Sequence, residues 1–261
     1  MRRIFLIITI LLLVVARRAE AAPRIISLAP NTTEILFSIG LGDSIIGTDD
    51  FSNYPEEAKD IERLGTFNNP NIERIILLKP DYILLNSGLE KSVEDYLTSF
   101  GIKVIKISPK TMEDLYSDIR KLGAVFNKEE DAKNIIQGMQ SRIKNISRAI
   151  KGRPPKVFVQ LFDDPLVTVS SFISDIIALA GGENIALDMK NDSGIFSYEA
   201  LIDRNPDIIL LVGFSKNTSD FHSINAVKNK RIYKNLDPDL ILRPGPRAVE
   251  AIEALNKIFY E

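Results

Sequence analysis

Apolar positions along this chain follow two alternating rhythms. Short, β-branched runs occupy 24–28, 44–47, 81–85, 103–107, 156–160, 207–212 and 232–234. Continuous apolar runs of this length are what a strand buried on both faces requires. Between them lie segments with apolar residues spaced by three or four, which predict helices over 32–39, 71–78, 91–100, 112–126, 171–180, 198–204 and 249–260. Gly40, Gly101 and Gly181-Gly182 stand where such helices should stop, and Pro80 bars continuation of the 71–78 helix. Strands alternating with helices imply βαβ units and mainly parallel sheets.

One segment is longer than the rest. Over 128–150, Ala132, Ile135, Ile136, Met139, Ile143, Ile146 and Ala149-Ile150 fall on one face. A helix of this length spans roughly 33 Å and suits a strut between two lobes. It ends at Gly152 and Pro154-Pro155, after which the strand–helix rhythm restarts. The expected organisation is an N-terminal α/β lobe over 22–126, a linking helix over 127–151 and a C-terminal α/β lobe over 152–261. The fold class is two Rossmann-like α/β lobes joined by one long backbone helix.

The first 21 residues break this pattern. Arg2-Arg3 precede an apolar run from Ile4 to Ala16 interrupted only by Thr9, and Ala19-Glu20-Ala21 offers small residues for cleavage. That is the form of a secretory signal peptide, too short for a comfortable membrane span. With no cysteine at the junction, a lipid-anchored form is not expected, so a diffusible periplasmic protein is. Arg17-Arg18 sit unusually late in the segment, which leaves an uncleaved anchor as the alternative.

Composition narrows the chemistry. Thirty-three basic and 35 acidic residues give a net charge of −2, so nucleic acid is not an expected partner. The absence of cysteine excludes disulfides, thiolate metal sites and a cysteine nucleophile. A single histidine, His222, builds no multi-histidine metal site, and no nucleophile-elbow, Walker A or dinucleotide-binding motif is present. Neither catalytic residues nor a metal or catalytic cofactor are expected. The adjacent acids Asp49-Asp50 and Asp163-Asp164-Pro165 read as turns.

The chain also echoes itself. Glu73 to Leu85 and Glu199 to Leu211 each run from a glutamate through a short helix to Pro-Asp, seven residues on, and then into an apolar strand. The plain reading of each glutamate is that an acid complements the positive end of its helix. The functional reading is a matched pair of carboxylates, one per lobe, able to orient a partner that carries paired arginines.

Six segments, in order, resemble the class III periplasmic binding proteins of ABC importers, and among them the cobalamin-binding members most. They are PRIISLAPNTTEILFSIG (23–40), FSNYPEEAKDIERLGTF (51–67), NIERIILLKPDYIL (71–84), LAGGENIA (179–186), SYEALIDRNPDIIL (197–210) and RPGPR (243–247). The resemblance implies a monomeric carrier that holds cobalamin, as cargo, between its lobes and delivers it to the membrane subunits of an importer. It implies transporter docking through Glu73 and Glu199, and ligand contacts from Phe51, Tyr54, Phe67, Asp239 and Arg243, with Phe162 as a looser match. The chain departs from the pattern in having no tryptophan: Phe67, Asn86 and Ser193 stand about where the relatives place one. No tyrosine stands near Thr66-Phe67, where haem-binding relatives carry a ligand. The alternative cargo is a ferric siderophore or other iron chelate, for which Arg243, with Arg24 or Lys190, would supply cationic groups.

Overall fold

The computed structural model describes residues 22–66, 68–86, 90–213, 222–234 and 236–260. The expected signal segment, 1–21, and Phe67 lie outside them.

The first sheet contains β1 (Ile25–Ser27), β2 (Ile45–Thr48), β5 (Tyr82–Leu85) and β6 (Lys103–Lys106), in the order β2-β1-β5-β6 and parallel throughout. A small antiparallel pair, β3 (Gly65–Thr66) and β4 (Asn69–Pro70), sits apart. Four helices follow in the chain: α1 (Pro30–Ser38), α2 (Ile72–Leu78), α3 (Lys91–Ser99) and α4 (Met112–Val125). Strand alternation assigns the faces. Ile26, Ile83 and Leu85 join Ile75 of α2 and Leu97 of α3, whereas Ile25 and Leu84 join Leu36 of α1 and Ile119 of α4. Thr111 and Asp114 form a capping box that starts α4.

The long helix α5 (Glu129–Ala149) has 21 residues, about 31 Å at helical rise. The second sheet follows, ordered β10-β8-β7-β11-β12, with β9 beside the start of β7. Its strands are β7 (Lys156–Phe162), β8 (Val167–Val169), β9 (Glu183–Asn184), β10 (Ser193–Ile195), β11 (Ile208–Leu211) and β12 (Ile232–Tyr233). The strands β8 and β10 are antiparallel additions. Sequence reading placed a turn at Asp163-Asp164-Pro165, and the chain does turn there, but it returns along β7 as β8, a strand too short to show a period. The helices of this half are α6 (Phe172–Leu179), α7 (Tyr198–Arg204), α8 (Asn225–Lys228), α9 (Pro238–Leu242) and α10 (Ala248–Tyr260).

One apolar cluster runs unbroken between the two sheets. It starts at Ile25 and Leu36, passes through Leu115 and Ile119 of α4 and Ile136 and Met139 of α5, and reaches Val157, Ile177, Ile252 and Leu255. The two α/β lobes are thus linked through long helices that share a core, and α5 is part of that core rather than a bare rod.

The internal echo is repeated in hydrogen bonds. Asn71 and Ser197 cap α2 and α7, each side chain accepting from the N–H three residues on at 3.0 Å. Both helices end on a left-handed residue with φ of 47°, Lys79 and Asn205. Asp81 and Asp207 then accept from the backbone N–H of Arg24 (2.8 Å) and Lys156 (2.9 Å), the residues that lead into β1 and β7. The two helix–strand units are the same device used twice.

The lobes are tied by charge as well. Glu34 on α1 is only 4% exposed, in a helix whose residues 31–36 are all buried. Arg247 grips it in bidentate fashion, Nε to Oε2 at 3.0 Å and Nη2 to Oε1 at 2.7 Å, and Arg243 lies 3.4 Å from Oε1. Both arginines come from the segment between α9 and α10, over 200 residues away in sequence. Removing Glu34 strands the Arg247 guanidinium without its counter-charge, and breaking a buried pair in this way costs about 3–5 kcal/mol. Glu34→Ala should lower unfolding free energy by about that amount in a urea titration. Lys91→Ala, which breaks an exposed pair with Asp95, should change it by less than about 1 kcal/mol.

Candidate functional site

In open α/β sheets ligands bind beyond the carboxyl ends of the strands. Here those ends in the two lobes turn toward one another, because contacts between the lobes come from the loops that leave them. On one side, the loop after β2 meets the segment after β12. Asn53 Oδ1 accepts from Arg243 Nη1 at 2.7 Å, the Phe51 carbonyl accepts from Arg243 Nη2 at 3.1 Å, and Asn53 Nδ2 donates to Asp239 at 3.0 Å. Asp239 also pairs with Arg243 at 2.7 Å, one helical turn away. On the other side, Lys110, after β6, pairs with Asp192, and the Met112 N–H donates to Asp175 of α6 at 2.6 Å.

Of the six expected ligand contacts, the structure brings Phe51, Asp239 and Arg243 into one neighbourhood. Phe51 is half exposed, its ring free while its carbonyl is held. Phe162 ends β7 on the opposite lobe, with 43% of its surface exposed. Tyr54 faces elsewhere. Its ring lies under the Arg247 guanidinium, 3.9 Å to the centroid, an arrangement favoured by the negative face of the aromatic ring. Tyr54 also lines a cavity of about 790 Å³ between α1, α5 and the start of α10, behind the Glu34 ion pairs, together with Phe37, Met139 and Arg142.

The supplementary cations part company. Arg24 lies at the opposite edge of the first sheet, donating to the carbonyls of Leu78 and Lys79 at the end of α2. Lys190 lines a hollow of about 590 Å³ beside Lys110, Asp192 and Ser171. Asn86 follows β5 with a buried side-chain oxygen that has no hydrogen-bond partner among the described residues. His222 is exposed.

Glu73 and Glu199 occupy the same place in their units, the second residue of α2 and of α7. Each helix runs antiparallel to the strand that follows it, so its first turn stands near the edge where the strands of its own lobe end. Both side chains are exposed, and neither joins an ion pair among the described residues.

Sequence reasoning missed Glu34, Asn53 and Arg247. A glutamate in a helix whose residues 31–36 are all buried demands a buried cation, and the arginines of RPGPR supply it. Asp49, read as part of a turn, is fully buried at the end of β2, and burial raises its pKa above the usual 3.8 against the lowering effects of its contacts with Ser52 Oγ and the Phe51 N–H.

Comparison with known proteins agrees with this architecture. A family model described as "periplasmic binding protein" matches residues 25–240. The vitamin B12-binding protein of Yersinia pestis is 30% identical over 241 residues, covering 91% of this chain and 86% of its own. The structure of the periplasmic vitamin B12 binding protein of Vibrio cholerae superposes with a TM-score of 0.80 at 27% identity, over 91% of this chain and 96% of that one. That of a possible iron-binding (periplasmic solute-binding) protein from Staphylococcus epidermidis does so at 0.79 and 29% identity, over 92% and 100%. The chain belongs to the periplasmic binding proteins, as a class III substrate-binding protein of ABC importers, a non-catalytic transport family.

Proposed function

We propose that this periplasmic carrier captures a ferric chelate between its lobes and presents it to an ABC importer. The observation that carries this reading is the make-up of the interlobe faces. Two exposed phenylalanines, Phe51 and Phe162, stand one per lobe, among the charged and amide groups of Asn53, Asp239, Arg243, Lys110 and Asp192. A few aromatic faces with convergent polar groups suit a chelate of modest apolar area and charged periphery. The similarity to a possible iron-binding (periplasmic solute-binding) protein from Staphylococcus epidermidis supports the same class.

Cobalamin is the second reading, favoured by the likeness to vitamin B12-binding proteins at 30% and 27% identity. A corrin is broad and calls for extensive flat aromatic surface. The chain contains no tryptophan to supply it.

Capture is only half of a carrier's task. The exposed Glu73 and Glu199, set at matching positions in duplicated units, supply two carboxylates to paired arginines on the membrane subunits. Such charge pairs fix orientation and speed encounter more than they add affinity.

Three outcomes follow. Calorimetric titration of the mature protein should give saturable one-to-one binding of a ferric siderophore, tighter than for cyanocobalamin; cobalamin alone binding would reverse the order of the two readings. Phe51→Ala should weaken binding of whichever chelate is held about 10-fold or more, with an unchanged melting temperature, since that ring is half exposed. Glu73→Lys with Glu199→Lys should abolish stimulation of the cognate transporter's ATPase in proteoliposomes while leaving chelate affinity intact. An equal loss of affinity would remove the docking assignment.

A further inference from the structure

At the end of β2, five polar residues form a closed chain of contacts with no exposure to solvent. Asp49 Oδ1 lies 2.5 Å from Ser52 Oγ, and Ser52 Oγ lies 2.8 Å from Thr33 Oγ1. Thr33 Oγ1 is 2.8 Å from Ser27 Oγ, which is 2.5 Å from Thr32 Oγ1, and Thr32 donates to the Ala29 carbonyl at 2.8 Å. Asp49, Ser52, Thr33, Ser27 and Thr32 are each 0% exposed. Further contacts from Ser27 and Thr33 to the Ala29 carbonyl are longer, at 3.3 and 3.2 Å.

Each contact between two oxygens needs one proton, and a hydroxyl brings only one. The chain has five contacts and four hydroxyls: Ser52, Thr33, Ser27 and Thr32. With an ionised Asp49, one pair of oxygens must meet lone pair to lone pair at 2.5–2.8 Å, buried from any solvent donor. With a protonated Asp49, every contact is satisfied in one direction, from Asp49 through Ser52, Thr33, Ser27 and Thr32 to the Ala29 carbonyl.

We infer that Asp49 holds a proton in the folded protein and donates it to Ser52, so that this proton fixes the loop carrying Phe51 and Asn53 against Arg243. The charged groups around it come from three other elements. Arg63 donates not to the carboxyl but to Thr48 Oγ1 and to the carbonyls of Asp49 and Ser52. Arg243, from the segment after α9, is shared among Glu34, Asp239, Asn53 and the Phe51 carbonyl. Glu34, one residue beyond Thr33, is taken up by Arg243 and Arg247. Asp50, the neighbour in sequence, is exposed. Both cations are thus committed to other oxygens, which leaves burial as the larger influence on the carboxyl.

The consequence for cargo rests on the cleft reading above: ionisation of Asp49 loosens the wall that presents Phe51, so capture weakens as pH rises. The proton itself does not rest on that reading, and the test reads it directly.

Carbon-detected NMR of the carboxyl groups, with Asp49 assigned by its absence from Asp49→Asn, should show the Asp49 carbon still protonated at a pH where exposed carboxylates have ionised. Asp49→Asn replaces the acid O–H with an amide N–H that donates to Ser52. Because the folded value lies above 3.8, the stability that the protonated acid contributes is present below 3.8 and is lost as pH rises through the folded value. Asp49→Asn should therefore match the wild type at pH 3.5 and melt about 2–4 °C above it at pH 8. A carbon titrating at or below 3.8, or an asparagine variant that melts below the wild type at pH 8, overturns the proton assignment. A chelate affinity that does not change with pH, beside a protonated Asp49, would overturn the cleft reading alone.

Discussion

A carboxylate as deeply buried as that of Glu34 cannot stand alone, and the arrangement of this protein follows from how it is satisfied. Its partners lie at the far end of the chain, on the segment joining α9 to α10. To bring Arg243 and Arg247 to Glu34, the chain must leave the second sheet and cross to the first. That crossing carries Asp239 to Asn53 and Arg243 to the Phe51 carbonyl, so one electrostatic requirement also builds one wall between the lobes. Pairing of this kind adds little net stability compared with apolar packing, yet losing one partner is costly, so the two halves stay docked where the charges meet.

The same economy appears in the duplicated helix–strand units. Asp81 and Asp207 each bond to the backbone that enters the first strand of their lobe, so the preceding helix is referenced to the sheet rather than to a loop. The exposed glutamates at the heads of α2 and α7 inherit that rigidity. Whatever they meet, they meet it as fixed points.

Much of this was legible in sequence, and the reasons are local. Apolar runs such as DIILLV, and glycine or proline stops, mark elements whose burial is continuous, and α7 falls on the expected residues 198–204. The repeat from Glu73 and from Glu199 was visible because a Pro-Asp step has a fixed local geometry. What escaped was set by distance along the chain or by brevity. The short strands β8 and β10 have three residues each and no period to read. The partner of Glu34 lies more than 200 residues away, and Asp49 looked like a turn acid because nothing local announces that it ends a buried chain of four hydroxyls. The aromatics show the same limit: Phe51 and Tyr54 are three residues apart, yet one ring stands free beside the cleft and the other is stacked under Arg247 on a separate cavity.

The apolar cluster that passes without a break from Ile25 to Leu255 has a kinetic meaning. Halves that share an interior cannot swing wide without exposing it, so little free energy is stored in or released by domain motion when cargo arrives. Binding strength then resides in the walls alone, and the loaded and empty forms differ little in shape. Such a molecule has no internal spring with which to expel what it holds. Release is then governed by the contacts those walls make, and anything that hastens it has to act on the walls themselves.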